Sequence, residues 1–447
     1  MERVCAAAIG LVSVLAACGD ASSDAIDAGA DPEAGVDAGA GDARGSDAGE
    51  ALEPELDWAV TLVEGDGAVV RASTVDGAGN SYVAGWFRGV VTVAGARLES
   101  AGGEDGFVAV VDPAGAHLWS RALGGAGDDR AASLTAGSLS RMYVTGSVSG
   151  EVDLGGGTIG EPGAPAQVFV ASFDAAGAHS WSRVYGPGAG TGIATNATGN
   201  LDVSGWLEGT ADFGGGALAT AGGRDAFVAS FEADGAHRWS ARFGGAGDES
   251  PSAIGNDLSC NVYLTGVSEG DPALGDRCDG AGASAFVASW DQWGAFRWAR
   301  CLPPASAPRA IAVDGLGHAS LAGALEGTLD LGGTDGTVTS AGGRDALVLG
   351  LDRDGTLRFA HALGGAADDE AGAVAFDPIG RTYVMGTRAG TEAFVALVDV
   401  DAPVTWSLRS TLGGGDSEGL GIAIDGNGFV LVTARTVAGT TLLRMLP

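Results

Sequence analysis

One period of the chain reads, from Trp181 to Trp239, WSRVYGPGAGTGIATNATGNLDVSGWLEGTADFGGGALATAGGRDAFVASFEADGAHRW. Short runs of β-branched, aromatic and small apolar residues alternate in it with turns rich in Gly, Asn and Asp, a pattern typical of β-strands. No apolar period of 3.6 residues is sustained, so helices are not predicted. The period therefore predicts four short strands, which we call a to d, with the Trp on strand d.

The same period recurs about every sixty residues along the chain, and such a repeat has to be interpreted before any local motif. The strand-d position is held by Trp58, Trp119, Trp181, Trp239, Trp298, Phe359 and Trp406. Four short strands per repeat are the signature of a propeller blade. The predicted fold is therefore all-β, a β-propeller. The recurring Trp residues are expected to be part of its core.

The two ends of the chain complement each other. After Trp406 the sequence supplies GLGIAIDG, FVLVTA and TTLLRML, which are strands a, b and c without a strand d. Residues 58–62, WAVTL, are a strand d without a preceding blade. We expect residues 58–62 to pair beside residues 441–446 and to close a seven-bladed ring over 58–447. Closure would remove exposed sheet edges, which otherwise invite aggregation.

The consensus W-S-R-x-x-G-G-x-G-D-D, G-N-x-Y-V-x-G, G-G-x-D-A-F-V-A and G-x-x-x-W resembles the seven-bladed β-propeller repeats, abbreviated SBBP, of secreted and surface proteins of bacteria. The resemblance covers residues 58–447 and implies the fold, whereas the family is not tied to one activity. The chain departs from the pattern at Asp202 and Ser320, which stand where other repeats have Tyr on strand b.

The first eighteen residues, MERVCAAAIGLVSVLAAC, predict an export signal. An apolar run of residues 4–17 follows Arg3 and is too short to span a bilayer. The run ends in Leu-Ala-Ala-Cys, which resembles the bacterial lipobox, where cleavage precedes an acylated Cys. We therefore expect a lipoprotein signal peptide at 1–17 and a lipid on Cys18. The alternative is an ordinary signal peptide with an incidental Cys.

Residues 18–57 are rich in Ala, Gly, Asp, Glu and Ser and predict a disordered tether, because they cannot bury a core. The whole chain has 57 acidic residues against 24 basic ones and a formal charge of −33. No nucleic-acid partner is expected, since phosphate binding needs a basic surface. The membrane is expected to be contacted through the lipid anchor only.

Three further Cys residues fall in the fourth repeat, and an exported protein meets an oxidising compartment. In the predicted blade, Cys278 on the b–c loop and Cys301 at the end of strand d lie at the same end. Cys260 lies in the a–b turn at the opposite end. We therefore predict a Cys278–Cys301 disulfide, with Cys260 unpaired.

Acidic residues follow Gly-Gly turns in the d–a loops, where the chain enters the innermost strand. The candidate metal ligands among them are Asp128, Asp129, Asp248, Asp368, Asp369 and Asp416. A partial ring of carboxylates near the channel is the kind of oxygen-rich site that Ca²⁺ takes. The alternative, which we favour, is that each Asp caps its own turn. No other cofactor is predicted.

Trp86 and Trp206 depart from the repeat, because other repeats have smaller residues after the strand-b Gly. A Trp at a strand end offers a platform for a sugar ring or an aromatic side chain. The alternative is wider packing between blades.

These features predict a monomeric, exported, lipid-anchored propeller that acts as a binding or scaffold module at the bacterial cell envelope. The outer membrane or cell surface is favoured over the inner membrane. The expected partner is a surface protein or a glycan, bound on the face of the b–c and d–a loops. The alternative is a glycan hydrolase or lyase that uses carboxylates on that face. A third possibility is a purely structural surface protein.

Overall fold

The computed structural model describes residues 55–64, 67–270, 272–274, 284–303, 305–332, 336–398, 404–408, 412 and 414–446. Almost all regular structure in these ranges is β-strand, with one 3₁₀ turn at Ser138–Ser140. Among these residues no helix has the length and apolar character needed to cross a bilayer.

The strands follow the predicted period. The first half of the chain contains β1 (Leu56–Glu64), β2 (Ala68–Val75), β3 (Ser81–Val93), β4 (Ala96–Val111), β5 (His117–Gly125), β6 (Arg130–Ala136), β7 (Met142–Ser149), β8 (Val152–Asp153), β9 (Thr158–Ile159), β10 (Ala166–Phe173), β11 (His179–Thr195), β12 (Leu201–Leu207), β13 (Thr210–Asp212), β14 (Ala217–Ala219) and β15 (Asp225–Phe231). The second half contains β16 (His237–Phe243), β17 (Glu249–Asn256), β18 (Val262–Ser268), β19 (Ser284–Trp290), β20 (Phe296–Leu302), β21 (Ser306–Val313), β22 (Ala319–Asp330), β23 (Thr337–Leu351), β24 (Leu357–Leu363), β25 (Glu370–Phe376), β26 (Thr382–Arg388), β27 (Glu392–Val398), β28 (Val404–Ser407), β29 (Ser417–Ile424), β30 (Val430–Thr436) and β31 (Gly439–Met445).

These strands pair into four-stranded antiparallel sheets in which strands a, b, c and d lie side by side. The sheets are β2–β3–β4–β5, β6–β7–β10–β11, β11–β12–β15–β16, β17 to β20, β21 to β24, β25 to β28, and β29–β30–β31–β1. β11 is long because it serves as strand d of one sheet and continues as strand a of the next.

The first strand of the chain pairs with the last. Trp58 lies opposite Arg444, and Thr61 lies opposite Thr441, in an antiparallel register. This is the pairing predicted from the two chain ends. The innermost strands of successive sheets also contact one another, in the order β2, β6, β11, β17, β21, β25 and β29, and β29 contacts β2. The described part of the chain is thus an all-β, propeller-like fold.

The core lies between the sheets as well as within them, because each strand buries side chains on both faces. One cluster joins Tyr143 and Val170 of one sheet to Val203, Phe227 and Phe231 of the next. Aromatic and β-branched residues dominate such positions, since they fill the wide space between two pleated surfaces.

The recurring Trp residues link each sheet to the next one. Five indoles donate a hydrogen bond from Nε1 to a carbonyl oxygen in the c–d turn of the following sheet. The pairs are Trp58–Pro113, Trp119–Ala175, Trp181–Ala233, Trp239–Gln292 and Trp298–Arg353, at 2.8–3.2 Å. These hydrogen bonds show how the recurring Trp residues hold neighbouring sheets together. Trp58 makes the same bond as the other four.

The turn that each Trp contacts contains a Gly, because the indole leaves no room for a larger side chain at that position. Gly177 has φ +76°, and a Cβ added there would lie 2.6 Å from the Trp119 ring. Any larger residue would have to push the indole away from the turn. The Gly and the Trp of the consensus are therefore two halves of one contact, made between neighbouring repeats.

The b–c connections differ from the open loops expected of a binding face. Several of them fold as hairpins that pack between neighbouring sheets and bury apolar residues such as Leu154 and Phe213. Two of them also pair with strand d of the preceding sheet, where Val93 lies opposite Val63 and Asp153 lies opposite Gly124. These hairpins are therefore part of the packing on one side, although residues such as Val90 remain exposed on the other.

Candidate functional site

Trp86 lies near the middle of β3, where strand b leaves the sheet, opposite Val69 and Gly106. Its side chain is half-buried. The guanidinium of Arg130, from the next sheet, lies over the indole with Cζ 5.5 Å from the ring centroid. Arg130 Nε also donates to Oε2 of Glu104 at 2.7 Å, so a carboxylate holds the cation in place.

Trp206 occupies the equivalent position in β12, opposite Ala189 and Ala226, and is also half-buried. Here the cation is Arg224, whose Cζ lies 4.2 Å from the indole centroid. Glu208 Oε2 lies 3.6 Å from Arg224 Nε. The same three groups therefore recur, although the Arg comes from a different strand in each case.

Each cluster presents a partly exposed indole, a guanidinium and a carboxylate. Such a surface combines an apolar ring with charged donors and acceptors, which suits a sugar or a polar peptide. The sheet β6–β7–β10–β11 lies between the two Trp-bearing sheets, so the clusters are two patches and not one pocket. Sequence reasoning missed Arg130 and Arg224, because neither follows its Trp at a fixed spacing.

The carboxylates of the d–a loops are engaged with the backbone. Asp129 is fully buried, and its two carboxylate oxygens accept hydrogen bonds from Gly125 N at 2.7 Å and Ser149 N at 2.9 Å. Asp369 repeats this arrangement with Gly365 N and Ala389 N, at 2.9 and 2.8 Å. Burial raises the pKa of Asp129. These side chains fasten the loop to the end of strand b.

The other acidic candidates lie nearer the surface. Asp128, Asp248 and Asp368 each accept one backbone N–H from the start of strand c, at 2.8–3.0 Å, and Asp416 is exposed. Among the described residues no three acidic, His or Cys side chains are grouped so that they could hold a metal ion. Calcium binding stays a prediction, and the hydrogen bonds are those of the turn-capping alternative.

Glu249 takes the position of Asp129 in the sheet β17 to β20. It is fully buried, and it accepts hydrogen bonds from Ser268 Oγ at 3.0 Å and Gly245 N at 3.1 Å. Burial raises its pKa to about 7. A carboxyl group with this pKa suits general acid–base chemistry, but a substrate cannot reach it through the surrounding protein.

The Cys predictions fall partly outside the described residues. Cys18 and Cys278 both lie outside them. Cys301, in β20, is disulfide-bonded. Cys260 is buried in the a–b turn of the same sheet, with φ +60°. The Cys278–Cys301 pairing and the state of Cys260 stay predictions.

No protein-family model and no curated protein matches this sequence. Solved structures are similar in fold. A chain of a mitotic checkpoint complex crystal structure aligns with a TM-score of 0.50 and 8% identity, over 93% of this chain and 98% of that one. The Pan2 WD40 domain of Neurospora crassa aligns with a TM-score of 0.49 and 8% identity, over 87% and 96%. The β-propeller domain of the Trilobed protease from Pyrococcus furiosus aligns with a TM-score of 0.45 and 8% identity, over 85% and 94%. At these identities the likeness concerns the fold alone.

Proposed function

We propose that this chain is a lipid-anchored β-propeller of the bacterial cell envelope that binds a partner without transforming it. The observation that carries the proposal is the pair of Trp clusters. Trp86 and Trp206 stand where other repeats have small residues, yet both remain half-exposed under a guanidinium. A residue that only filled space between sheets would be buried. The partner we favour testing first is a glycan, with a surface protein as the other candidate.

We infer that the propeller is a monomer with seven blades, closed by β1 as strand d of the blade that also contains β29, β30 and β31. Three observations support the closure of the ring: the β1–β31 pairing, the contact of β29 with β2, and the hydrogen bond from Trp58 to Pro113. A closed ring would also make the binding face rigid, which limits the entropy lost when a partner binds.

The anchor is inferred from the sequence Leu-Ala-Ala-Cys that ends at Cys18. Two acyl signals are needed for stable membrane attachment, and a lipidated Cys supplies them. Labelling of the full chain with radioactive palmitate in a bacterial host tests this inference. The label is expected in the wild type and absent in Cys18→Ala, whereas a signal peptide without lipidation would leave both unlabelled.

The binding experiment uses the full chain in non-ionic detergent on an array of bacterial glycans. Trp86→Ala and Trp206→Ala are expected to weaken binding of any positive glycan about tenfold or more, because stacking on an aromatic ring would be lost. Trp293→Ala is the matched control, since Trp293 is 68% exposed and lies in a c–d turn, away from both clusters.

A glycan that bound equally well to the two variants and the control would contradict a role for the Trp clusters. An array with no positive glycan would remove the glycan proposal and leave a surface protein as partner. The enzymatic alternative is disfavoured because Asp129, Glu249 and Asp369 are buried beneath the loops and bonded to the backbone.

A further inference from the structure

The innermost strand of every sheet contains a bulge at the same place, one residue after the partner of the strand-b Gly or, in the last sheet, of Ala434. At each bulge one residue has no partner across the ladder. These residues are Arg71, Ala132, Thr191, Ser252, Arg309, Gly372 and Leu420. A bulge bends the strand and re-aims the unpaired side chain. Because strand a is the innermost strand of its sheet, each bulge lies beside the space that the innermost strands enclose.

Four of the seven bulge residues are small, and Leu420 packs against the apolar cluster shared by the last and the first sheet, so the two arginines are the long side chains that are exposed at these positions. Ala132, Thr191, Ser252 and Gly372 offer at most a few side-chain atoms each. A Cβ added to Gly372 would meet only one atom within 4 Å, at 3.5 Å. The two arginines are therefore the principal charged groups that the bulges supply to the enclosed space.

Arg71 is the more unusual of the two. Its side chain is exposed to water, and among the described residues it has no hydrogen bond or ion pair. The pKa of Arg71 is nevertheless lowered, first by the protein that surrounds it and then by the positive charge of Arg309. The side chain of Arg71 is therefore exposed and at the same time flanked by protein, as expected beside the space that the innermost strands enclose.

Arg309 has one carboxylate partner. Its Nη1 lies 3.0 Å from Glu370 Oε1, and the two side chains are 48% and 29% exposed. Among the described residues, Arg309 thus has a carboxylate partner and Arg71 has none, although the chain has more than twice as many acidic as basic residues. Two like charges on strands that surround the same space repel each other, and an anion bound between them weakens the repulsion.

We propose that Arg71 and Arg309 form a binding site for an oxyanion group at the centre of the propeller. The site rests on the ring closure inferred above. Guanidinium groups present paired N–H donors whose geometry matches carboxylate, sulfate and phosphate oxygens. The shared ligand chemistry is therefore a tetrahedral or planar oxyanion, whether it is a free inorganic ion or part of an acidic sugar.

Isothermal titration calorimetry of the full chain in non-ionic detergent tests this proposal. The probes are sodium sulfate, sodium phosphate, a galacturonic acid trisaccharide and, as the uncharged arm, a galactose trisaccharide. Arg71→Gln and Arg309→Gln are expected to weaken oxyanion binding about tenfold or more, because hydrogen bonds between charged groups are among the strongest. Arg71→Lys keeps the positive charge but lacks the paired N–H donors of the guanidinium, so this variant is expected to retain part of the affinity for oxyanions.

Arg97→Gln is the matched control. Arg97 belongs to the same repeat as Arg71, and its substitution by Gln removes the same charge. It pairs with Glu99 on a surface hairpin, where its side chain is 64% exposed. Unchanged binding in this variant, with loss in the two bulge variants, supports the site. Tighter binding of the trisaccharide acid than of sulfate identifies an acidic sugar as the source, and the reverse order identifies an inorganic anion.

Two results overturn the proposal. One is that none of the three anionic probes binds the wild type, and the other is that Arg71→Gln and Arg309→Gln bind them as well as Arg97→Gln does. The Trp clusters are tested separately, because Trp86→Ala is expected to leave sulfate binding unchanged. If the wild type binds sulfate but no glycan, only the proposal for the Trp clusters is contradicted. If it binds a neutral glycan but no sulfate, only the proposal for Arg71 and Arg309 is contradicted.

Discussion

Replacing Trp58 by Ala tests whether the first strand belongs to the ring. Trp58 is half-buried, its Nε1 donates to Pro113 O at 2.8 Å, and its indole lies against the turn at Gly115. Truncating a fully buried Trp costs about 3–5 kcal/mol. Half of that value is about 2 kcal/mol, and the lost hydrogen bond adds about 1 kcal/mol. We expect Trp58→Ala to lower the free energy of unfolding by about 2–3 kcal/mol.

The matched variant is Trp119→Ala. Trp119 is also half-buried and makes the same bond, to Ala175 O at 3.1 Å, but it lies inside a sheet that is continuous in sequence. If β1 is an integral strand, the two variants lose similar stability. Trp293→Ala removes an exposed indole and is expected to change stability by no more than about 0.5 kcal/mol.

The assay is equilibrium unfolding in urea followed by far-ultraviolet circular dichroism, since each substitution removes a fluorophore. It is run without sulfate or phosphate, so that ligand binding does not add to stability. The reasoning is refuted if Trp58→Ala behaves like Trp293→Ala while Trp119→Ala loses the expected amount. That outcome would mean that β1 is detached in solution and that the ring is open.

Three further predictions concern single groups. Burial raises the pKa of Glu249 to about 7 from 4.5, so its contribution to stability is full below pH 4.5 and is lost as the pH rises through 7, a loss of about 3 kcal/mol. Urea unfolding at pH 5 and pH 8 is expected to show a smaller difference for Glu249→Gln than for the wild type; an equal difference would contradict the assignment. Gly177→Ala is expected to lower stability by about 2 kcal/mol or more in thermal melts, because the methyl group meets Trp119. Gly157→Ala measures the cost of backbone strain alone, since Gly157 has φ +99° and an added Cβ would have no neighbour within 4 Å. Equal losses of stability in the two variants would argue against the contact with the indole. Without reductant, Cys301→Ser is expected to lower the free energy of unfolding by about 2–5 kcal/mol, because the disulfide is lost. With reductant, the variant and the wild type are expected to be equally stable; a difference that persists would mean that the Cys301 side chain contributes through packing and not through a disulfide.

The repeat could be predicted from the sequence because its consensus residues make contacts that every repeat needs. Trp119 and Gly177 belong to different repeats but to one contact, so a substitution at either position is expected to disturb that contact. The strand order follows from the same period. The hairpins between strands b and c could not be predicted, because Gly-rich runs of two or three strand residues give too weak an alternation.

The position of the site residues was harder to predict for a geometric reason. A bulge shifts the register by one residue, so the side chain of Arg71 does not point where simple alternation along β2 places it. The carboxylates posed a different difficulty. Asp after Gly-Gly is compatible with a metal site and with a turn cap, and only the distances to Gly125 N and Ser149 N distinguish the two roles of Asp129.

One departure from the consensus shows how the fold absorbs substitutions. In the first repeat, Tyr82 donates from its hydroxyl group to Asp76 at 2.9 Å. In the third repeat the acid stands on strand b as Asp202, which accepts from Asn256 at 3.0 Å and from Asn196 at 3.4 Å. Burial raises the pKa of Asp202 to about 6. The polar contact is kept, although the acid has moved from the a–b turn to strand b, which marks this departure as structural.

Departures that are not compensated in this way are the ones that point to function. Arg71 carries a charge that has no partner among the described residues, whereas Asp202 has kept its hydrogen bonds. An unpaired cation in a confined space lowers stability unless something else balances it, because the repulsion from Arg309 is always present in the folded state. The contacts that every repeat makes, such as the hydrogen bond from Trp119 to Ala175, offset this loss of stability. An oxyanion bound at the proposed site would offset this loss of stability, which is the reason that the two arginines support a ligand there.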